Sequence, residues 1–446
     1  MRICVVGSGP WPCEQGAVVT GPCIRLRQFV EPLAANRYEV VATLLEDKLR
    51  EEVPVEPCLQ AIAATPEEIL APELMARRAD LQHVSAVLGV GSLMPAAAAC
   101  RLADHLGVGC WVDYFGDPMA ELHAAQLRQG GTPDVTGRDH VWKFVRETLL
   151  RGDAFSTVST PQRYALLGQL GLMGRYGNHW DVSRRVHEIP CGVPQEWTRP
   201  AERPPFPPIL REHGLSEATP YVFFAGSWNV WLDEIAMARA LTGALGANKS
   251  LRFVSAGIPT GPAGEAIREA LFRDLADFAK EGRAIDLPPQ SGPEEEALLA
   301  WAGACLSLDR AIPEAELGSR NRLLAMIRWG AFPVVSVEAG LEALLVAEGL
   351  AAGIHDANAV RAAKEILRAC ARPPEKREDD RRRALTLLET LTFERTLEPV
   401  IDWIAHGARR WPQVPRQGLL DAWAAFPAEP ENLFPEPRRR RPWPFR

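Results

Sequence analysis

The sequence predicts an α/β chain of two domains, each a parallel β-sheet wrapped by helices, facing each other across a cleft. Short apolar, β-branched runs alternate with longer segments of helical period, the pattern of a parallel sheet with helical crossovers. The alternation stops once, at a proline-dense stretch from Thr198 to Leu210, and then begins afresh. The length of 446 residues suits two domains, because one domain usually takes ~100–200 residues.

In the first half the predicted strands are ICVVG from Ile3, VVATLL from Val40, VSAVLGVG from Val84, CWVDYF from Cys110, AFSTVS from Ala154 and VHEIPCGV from Val186. Helical segments lie between most of them, including Gly21 to Ala35 and Gln162 to Gly171. These units make one doubly wound, Rossmann-like domain over residues 1–197. In TRPAERPPFPPIL each proline removes an amide donor and constrains its neighbour, so residues 198–217 read as a linker. The second series is YVFFAGS from Tyr221, LRFVSAG from Leu251, AIDLPP from Ala284, ACLSLDR from Ala304 and AFPVVSV from Ala331, a second Rossmann-like domain over 218–390. Beyond Thr392 the pattern is helical and carries Trp403, Trp411 and Trp423; residues 391–446 read as C-terminal helices ending in the basic tail PEPRRRRPWPFR.

Composition narrows the function. An apolar fraction of 47% and a charged fraction of 24% are those of a soluble globular protein, and no run reaches the ~18 apolar residues of a membrane-spanning helix. MRICVVGSGP lacks the apolar core and cleavage site of a secretory signal and reads as a first strand. The nine cysteines are scattered without a CxxC pair, which points to a reducing, cytoplasmic setting and away from zinc. The nine histidines show no ligand spacing, so no metal site is expected. A net charge of -7 argues against nucleic acid as a partner.

Ligands of such sheets bind beyond the carboxyl ends of the strands, so the loops there carry the functional signal. After the first strand, Gly7 and Gly9 are followed by Pro10, Trp11 and Pro12, which cannot form the turn of a dinucleotide fingerprint; a nicotinamide dehydrogenase is disfavoured. What remains is a long loop bearing Gly16 and Gly21 and feeding a helix with Arg25, where backbone amides suit an anion. An ordinary strand-to-helix loop with a surface arginine is the alternative. In WVDYFGDPMAELH, Asp117 can cap a helix beginning at Pro118 with Glu121 in its first turn, or Asp117 or Asp113 can face the cleft and contact an acceptor hydroxyl.

The second domain opens with YVFFAGSWNVWLDE. Gly226 and Ser227 end a buried strand and let an anion approach backbone amides, while Trp228, Asn229, Trp231 and Asp233 lead into a helix. Tryptophans in so short a polar turn are expected to be exposed, one of them against a sugar or base face. In PEAELGSRNRLLAMIRWGAFPVVS, Gly318, Ser319, Arg320 and Arg322 gather amides, a hydroxyl and two guanidinium groups at a loop-to-helix junction, a setting for a diphosphate. The competing reading is a surface helix whose arginines pair with Glu314 and Glu316.

At these residues the chain resembles the retaining, family-4-like GT-B glycosyltransferases, and within them a bacterial subgroup associated with cell-wall or surface-polysaccharide synthesis. The similarity runs through a block with Gln162, Arg163, Gly168 and Gly174, then Gly226, Trp228, Asn229, Trp231 and Asp233. It continues through Arg320, Arg322, Leu323, Leu324, Gly330, Pro333, Val334 and Val335. FERTLEPVIDWIAHGARR, from Phe393, resembles the family's helix that returns to the first domain. The chain departs from the family at Ala325, where an acid commonly meets the donor's ribose, at Ser227, which replaces a second glycine, and in lacking a lysine beside those glycines.

The resemblance implies transfer of a sugar from a nucleoside-diphosphate donor to an acceptor hydroxyl with retention, without a cofactor beyond the nucleotide-sugar substrate. Arg320, Arg322 and the amides of Gly226 and Ser227 would then stabilise the departing diphosphate, with Arg25, Gly16, Gly318, Ser319, Trp228 and Asn229 around the donor and Asp117 toward the acceptor. The acceptor, a saccharide, a lipid-linked group or a protein, is left open. The departures leave open a noncatalytic relative acting as a scaffold, and more remotely an epimerase. Arg438 to Arg441, followed by Trp443 and Phe445, suit peripheral docking on anionic lipid at the inner membrane face, or a solvated tail.

Overall fold

The structure is a computed structural model that describes residues 1–11, 20–46, 54–56, 58–78, 81–128, 130, 135–176, 182–290, 292–336 and 340–411. Gly16 and the arginine run 438–441 lie outside the described residues. Each half of the chain forms a parallel sheet with helices on both faces, as predicted.

The first sheet contains β1 (Arg2–Ser8), β2 (Glu39–Leu45), β3 (Pro54–Glu56), β4 (Leu59–Ala64), β5 (Val84–Gly89), β6 (Gly109–Tyr114), β7 (Ala154–Thr157) and β8 (Val186–Glu188). Their order is β3-β4-β2-β1-β5-β6-β7-β8, and only β3 runs antiparallel to its neighbour. Six of these strands lie at the predicted runs. The edge strand β3 and its neighbour β4 were not foreseen, because LQAIAA is too rich in small residues to read as a strand. The second sheet holds β9 (Tyr221–Phe224), β11 (Arg252–Ser255), β13 (Ala284–Asp286), β14 (Ala304–Ser307), β15 (Phe332–Ser336) and β16 (Ala352–Ile354) in the order β13-β11-β9-β14-β15-β16. A separate two-stranded ladder pairs β10 (Ser227–Trp228) with β12 (Ile258–Pro259).

Both sheets are buried on both faces, as parallel sheets are, and their strands read as near-continuous apolar runs. In each, the strand order reverses once, between β1 and β5 in the first sheet and between β9 and β14 in the second. Those reversals open a crevice at the carboxyl ends of the strands. Helix Gly21–Ala35 starts at Gly21 as predicted, with Pro22 in its first turn, and lays Cys23, Leu26, Phe29, Val30 and Leu33 against the first sheet.

The proline-dense stretch packs with the second lobe instead of hanging free: Phe206, Leu210 and Leu215 share a core cluster with Tyr221 and Phe223, and Trp301 Nε1 donates to the Pro204 carbonyl at 2.9 Å. Helices Phe393–Thr396 and Glu398–Ala405 return to the first lobe. There Leu397, Val400 and Ile404 bury alongside Ile3, Val5 and Phe29, and Gln28 Nε2 donates to Thr396 Oγ1 at 2.7 Å. The lobes touch around the short helix Pro313–Leu317, where Ser159 Oγ donates to the Leu317 carbonyl at 2.7 Å and Ala124 packs with Ile312 and Ala315. No helix of the described residues is long and apolar enough to cross a membrane.

Candidate functional site

The crevice between β9 and β14 holds Arg322. Its Nη2 donates to Ser307 Oγ at 2.8 Å, at the end of β14, and its Nη1 to the Ser227 carbonyl at 3.4 Å, just past β9. The side chain is 11% exposed and lies over the Phe224 ring. The guanidinium fits because residue 226 is glycine: φ there is +89°, and a Cβ would stand 3.0 Å from Arg322 Cδ. Burial pulls the Arg322 pKa below its ordinary value; Asp309, at 3.8 Å, opposes that pull without cancelling it. Arg322 Nε has no hydrogen-bond partner among the described residues. This is a buried, incompletely compensated cation at the switch point of the sheet.

Arg320 has a different fate. Its Nε donates to Asp309 Oδ2 at 2.7 Å, its Nη1 and Nη2 form a fork on Glu314 at 2.9 and 2.7 Å, and the group rests over the Trp231 ring at 5.0 Å. Burial acts to lower its pKa, but the charges of Asp309 and Glu314 hold it above the ordinary value. The pairing with Glu314 matches one alternative read from the sequence; the second carboxylate is Asp309, while Glu316 is exposed. Gly318 makes the fork possible, since a Cβ there would lie 2.6 Å from Arg320 Nη1. Ser319 Oγ accepts the Leu341 amide at 3.4 Å and so ties the loop to helix Gly340–Ala347. Arg320 is therefore held by its own carboxylates, where a cation free for phosphate was expected.

The remaining sequence-derived residues fall into place around this centre. Trp228 corrects the expectation of an exposed aromatic: it is fully buried and stacked on Phe224 at 4.0 Å, because β10 pairs with β12 and turns the side chain inward. Asn229 accepts a hydrogen bond from Thr260 Oγ1 at 2.6 Å. Burial pushes Glu295, in the first turn of helix Pro293–Trp301, up to about 7 against the pull of the Gly226 amide.

In the first lobe Arg25 is 1% exposed and donates in a fork to Asp113 at 3.0 and 2.7 Å, with Nη1 on Gln28 Oε1 and the Pro190 carbonyl. Its guanidinium is a buried brace, where a group reaching for the donor was expected, and Asp113 serves the same brace. Asp117 caps helix Pro118–Arg128, accepting the Met119 and Ala120 amides on Oδ1 and Gln169 Nε2 on Oδ2. Both of its oxygens are thus committed to the fold, as the capping alternative has it. Gly21 stands close to the second lobe: a Cβ there would lie 3.1 Å from Phe115 and 3.7 Å from Asn321 Nδ2.

Glu342 and Glu295 were missed by sequence reasoning, because each sits in a helix first turn, where an acid is explained by the helix dipole. Glu342 is 7% exposed, and its Oε2 has no hydrogen-bond partner among the described residues. Burial pushes it up to about 7 against the pull of Arg320. Among the described residues no group of three or more His, Cys, Asp or Glu is placed to hold a metal ion.

No protein-family model matches the chain, and no curated protein matches it. Solved structures do. A sucrose-phosphate synthase from Thermosynechococcus elongatus superposes with a TM-score of 0.63 at 15% identity over 91% of this chain and 98% of that one. The Anabaena protein HepE, in complex with UDP and glucose, gives 0.64 at 11% identity over 91% and 100%. A glycosyltransferase from Rickettsia africae gives 0.63 at 13% identity over 92% and 98%. At these identities the likeness establishes architecture: the chain has the GT-B fold, two Rossmann-like lobes facing across a cleft with a C-terminal helix returning to the first.

Proposed function

We propose that the protein is a nucleotide-sugar-dependent glycosyltransferase, of the retaining, family-4-like kind, that binds its donor's diphosphate in the crevice between β9 and β14. The observation that carries the reading is Arg322, a buried guanidinium whose Nε has no hydrogen-bond partner among the described residues, seated against Gly226 at the strand-order reversal where open α/β sheets bind their ligands. Charge builds on the diphosphate as the sugar leaves, and a fixed cation beside it stabilises that charge without reorganising. Arg320 is assigned a positioning role, fixing Asp309 and the loop Gly318–Ser319 beneath the site. The Gly226 and Ser227 amides would join Arg322 on the phosphate oxygens. One structural neighbour, the Anabaena HepE protein, was solved both with UDP and glucose and with UDP-glucose, which favours this ligand class. Which base, sugar and acceptor the chain uses, and whether its C-terminal arginines meet anionic lipid, are questions for assay.

Thermal-shift titration with uridine, guanosine, adenosine and thymidine diphosphates tests the donor site. One of them should raise the melting temperature, and Arg322→Ala should weaken that ligand at least ~tenfold, since a charge-assisted hydrogen bond contributes ~1.5–3 kcal/mol. Absence of any response to all four in the wild-type chain would instead mark it as a noncatalytic relative.

A further inference from the structure

The floor of the crevice contains acceptors as well as cations. Asp309, which follows β14, gives Oδ2 to Arg320, while its Oδ1 has no hydrogen-bond partner among the described residues. Glu342, in the first turn of the helix that follows β15, likewise leaves Oε2 buried and unpartnered. Arg322 Nε and Trp231 Nε1 are buried without hydrogen-bond partners among the described residues as well. Buried polar groups in folded proteins are nearly always satisfied, and leaving one unmet costs about as much as a hydrogen bond contributes. Several at the ends of adjacent strands point to a ligand that supplies both kinds of partner.

A diphosphate supplies only acceptors, which would answer Arg322 and Trp231 and leave the carboxylates unmet. The carboxylates need donors. Hydroxyl groups supply them, and a nucleotide-sugar bears hydroxyls and phosphate oxygens together. We infer that Glu342, with Asp309 beside it, reads hydroxyl groups of the sugar carried by the diphosphate, and so selects a nucleotide-sugar over the bare nucleotide. The inference rests on the diphosphate reading above and deepens it. Arg320 has a defined part here: by clamping Asp309 Oδ2 and both oxygens of Glu314 it holds one reader in place, while Asp309 Oδ1, 3.8 Å from Arg322 Nη2, accepts no hydrogen bond from the described residues.

The test compares two ligands on one variant. Calorimetric titration of the full chain identifies the best-bound nucleoside diphosphate among the four named above, then the best-bound of its glucose, galactose, mannose and N-acetylglucosamine conjugates. Glu342→Ala should weaken the nucleotide-sugar about tenfold or more while changing the bare diphosphate less than about twofold. Glu342→Gln, which keeps the size and one acceptor, should fall between wild type and Glu342→Ala, and guards against a folding defect. Equal losses for both ligands, or no loss for either, overturn the inference while leaving the diphosphate site standing. Failure of every diphosphate to bind the wild-type chain overturns the diphosphate reading itself, and this inference with it.

Discussion

At the scale of single residues, Gly226 is where backbone geometry and site chemistry meet. Its φ of +89° is strained for any L side chain, and a Cβ would press on Arg322 Cδ at 3.0 Å. Gly226→Ala should cost roughly 1–3 kcal/mol of stability and weaken diphosphate binding at the same time, read by thermal melting and by titration. An alanine variant that melts normally and binds normally would show that the guanidinium has room to move. The buried carboxylates give a pH signature. Glu342 and Glu295 both rise from an ordinary value of 4.5 to about 7 through burial. The folded protein thus holds protons that the unfolded chain releases, so their penalty is absent below about pH 4.5, grows with pH and is complete above about pH 7. Melting temperature should fall across that window, and Glu342→Gln should flatten the fall and raise stability at pH 8. Arg322 could be found from sequence because a guanidinium three residues past a glycine–serine turn is a local pattern. Whether an arginine is free or neutralised is not local: Arg320 is claimed by Asp309, eleven positions upstream across a strand end, and no spacing rule reveals that.

Elements were legible where the pattern was long. Eleven predicted runs, such as VVATLL and FPVVSV, are strands because a parallel strand buried on both faces must be apolar throughout. The strands that escaped are those whose burial is supplied by context. β16 is only Ala352–Ile354, and β10 owes its existence to pairing with β12. The tryptophan at 228 was misplaced for the same reason, since a turn read as polar and exposed becomes inward-facing once it is a strand. The helical character of Glu398–Ala405 was legible from the sequence pattern, while its return to the first lobe was implied by the family resemblance of the segment from Phe393. Its Ile404 is fully buried among first-lobe residues, so Ile404→Ala should cost about 2–5 kcal/mol, checked by urea unfolding. A loss below about 1 kcal/mol would mean that the helix is a lid lying on a core that is complete without it.

For the whole molecule the question is what sets the gap between the lobes, because the proposed transferase would have to admit a donor and then exclude water from the activated sugar. One residue spans that gap with all three of its guanidinium nitrogens engaged. Arg128, the last residue of helix Pro118–Arg128 in the first lobe, donates through Nε to the Val230 carbonyl at 2.9 Å and forms a fork on Glu234 at 2.6 and 2.7 Å, and it also reaches the Leu232 carbonyl. Its partners flank the loop that follows Gly226, so the latch and the diphosphate crevice share one segment. The pair is largely shielded, with side chains 17% and 15% exposed, and salt should screen it less than a surface pair. Removing the fork leaves Glu234 and two carbonyls without their donor, at a cost of roughly 1–3 kcal/mol, against an interlobe contact whose apolar support there is one small cluster: Ala124 with Ile312 and Ala315, packed by Val230 and Trp231. Arg128→Ala should therefore let the lobes part. Small-angle scattering should show a larger radius of gyration for the variant than for the wild type without ligand, and the difference should shrink when a nucleotide-sugar bridges the cleft. Arg128→Lys keeps the charge but not the fork, and should lie between the two. Superimposable scattering curves for wild type and Arg128→Ala would place control of the gap elsewhere, at the Ser159 to Leu317 contact on the other side of helix Pro313–Leu317.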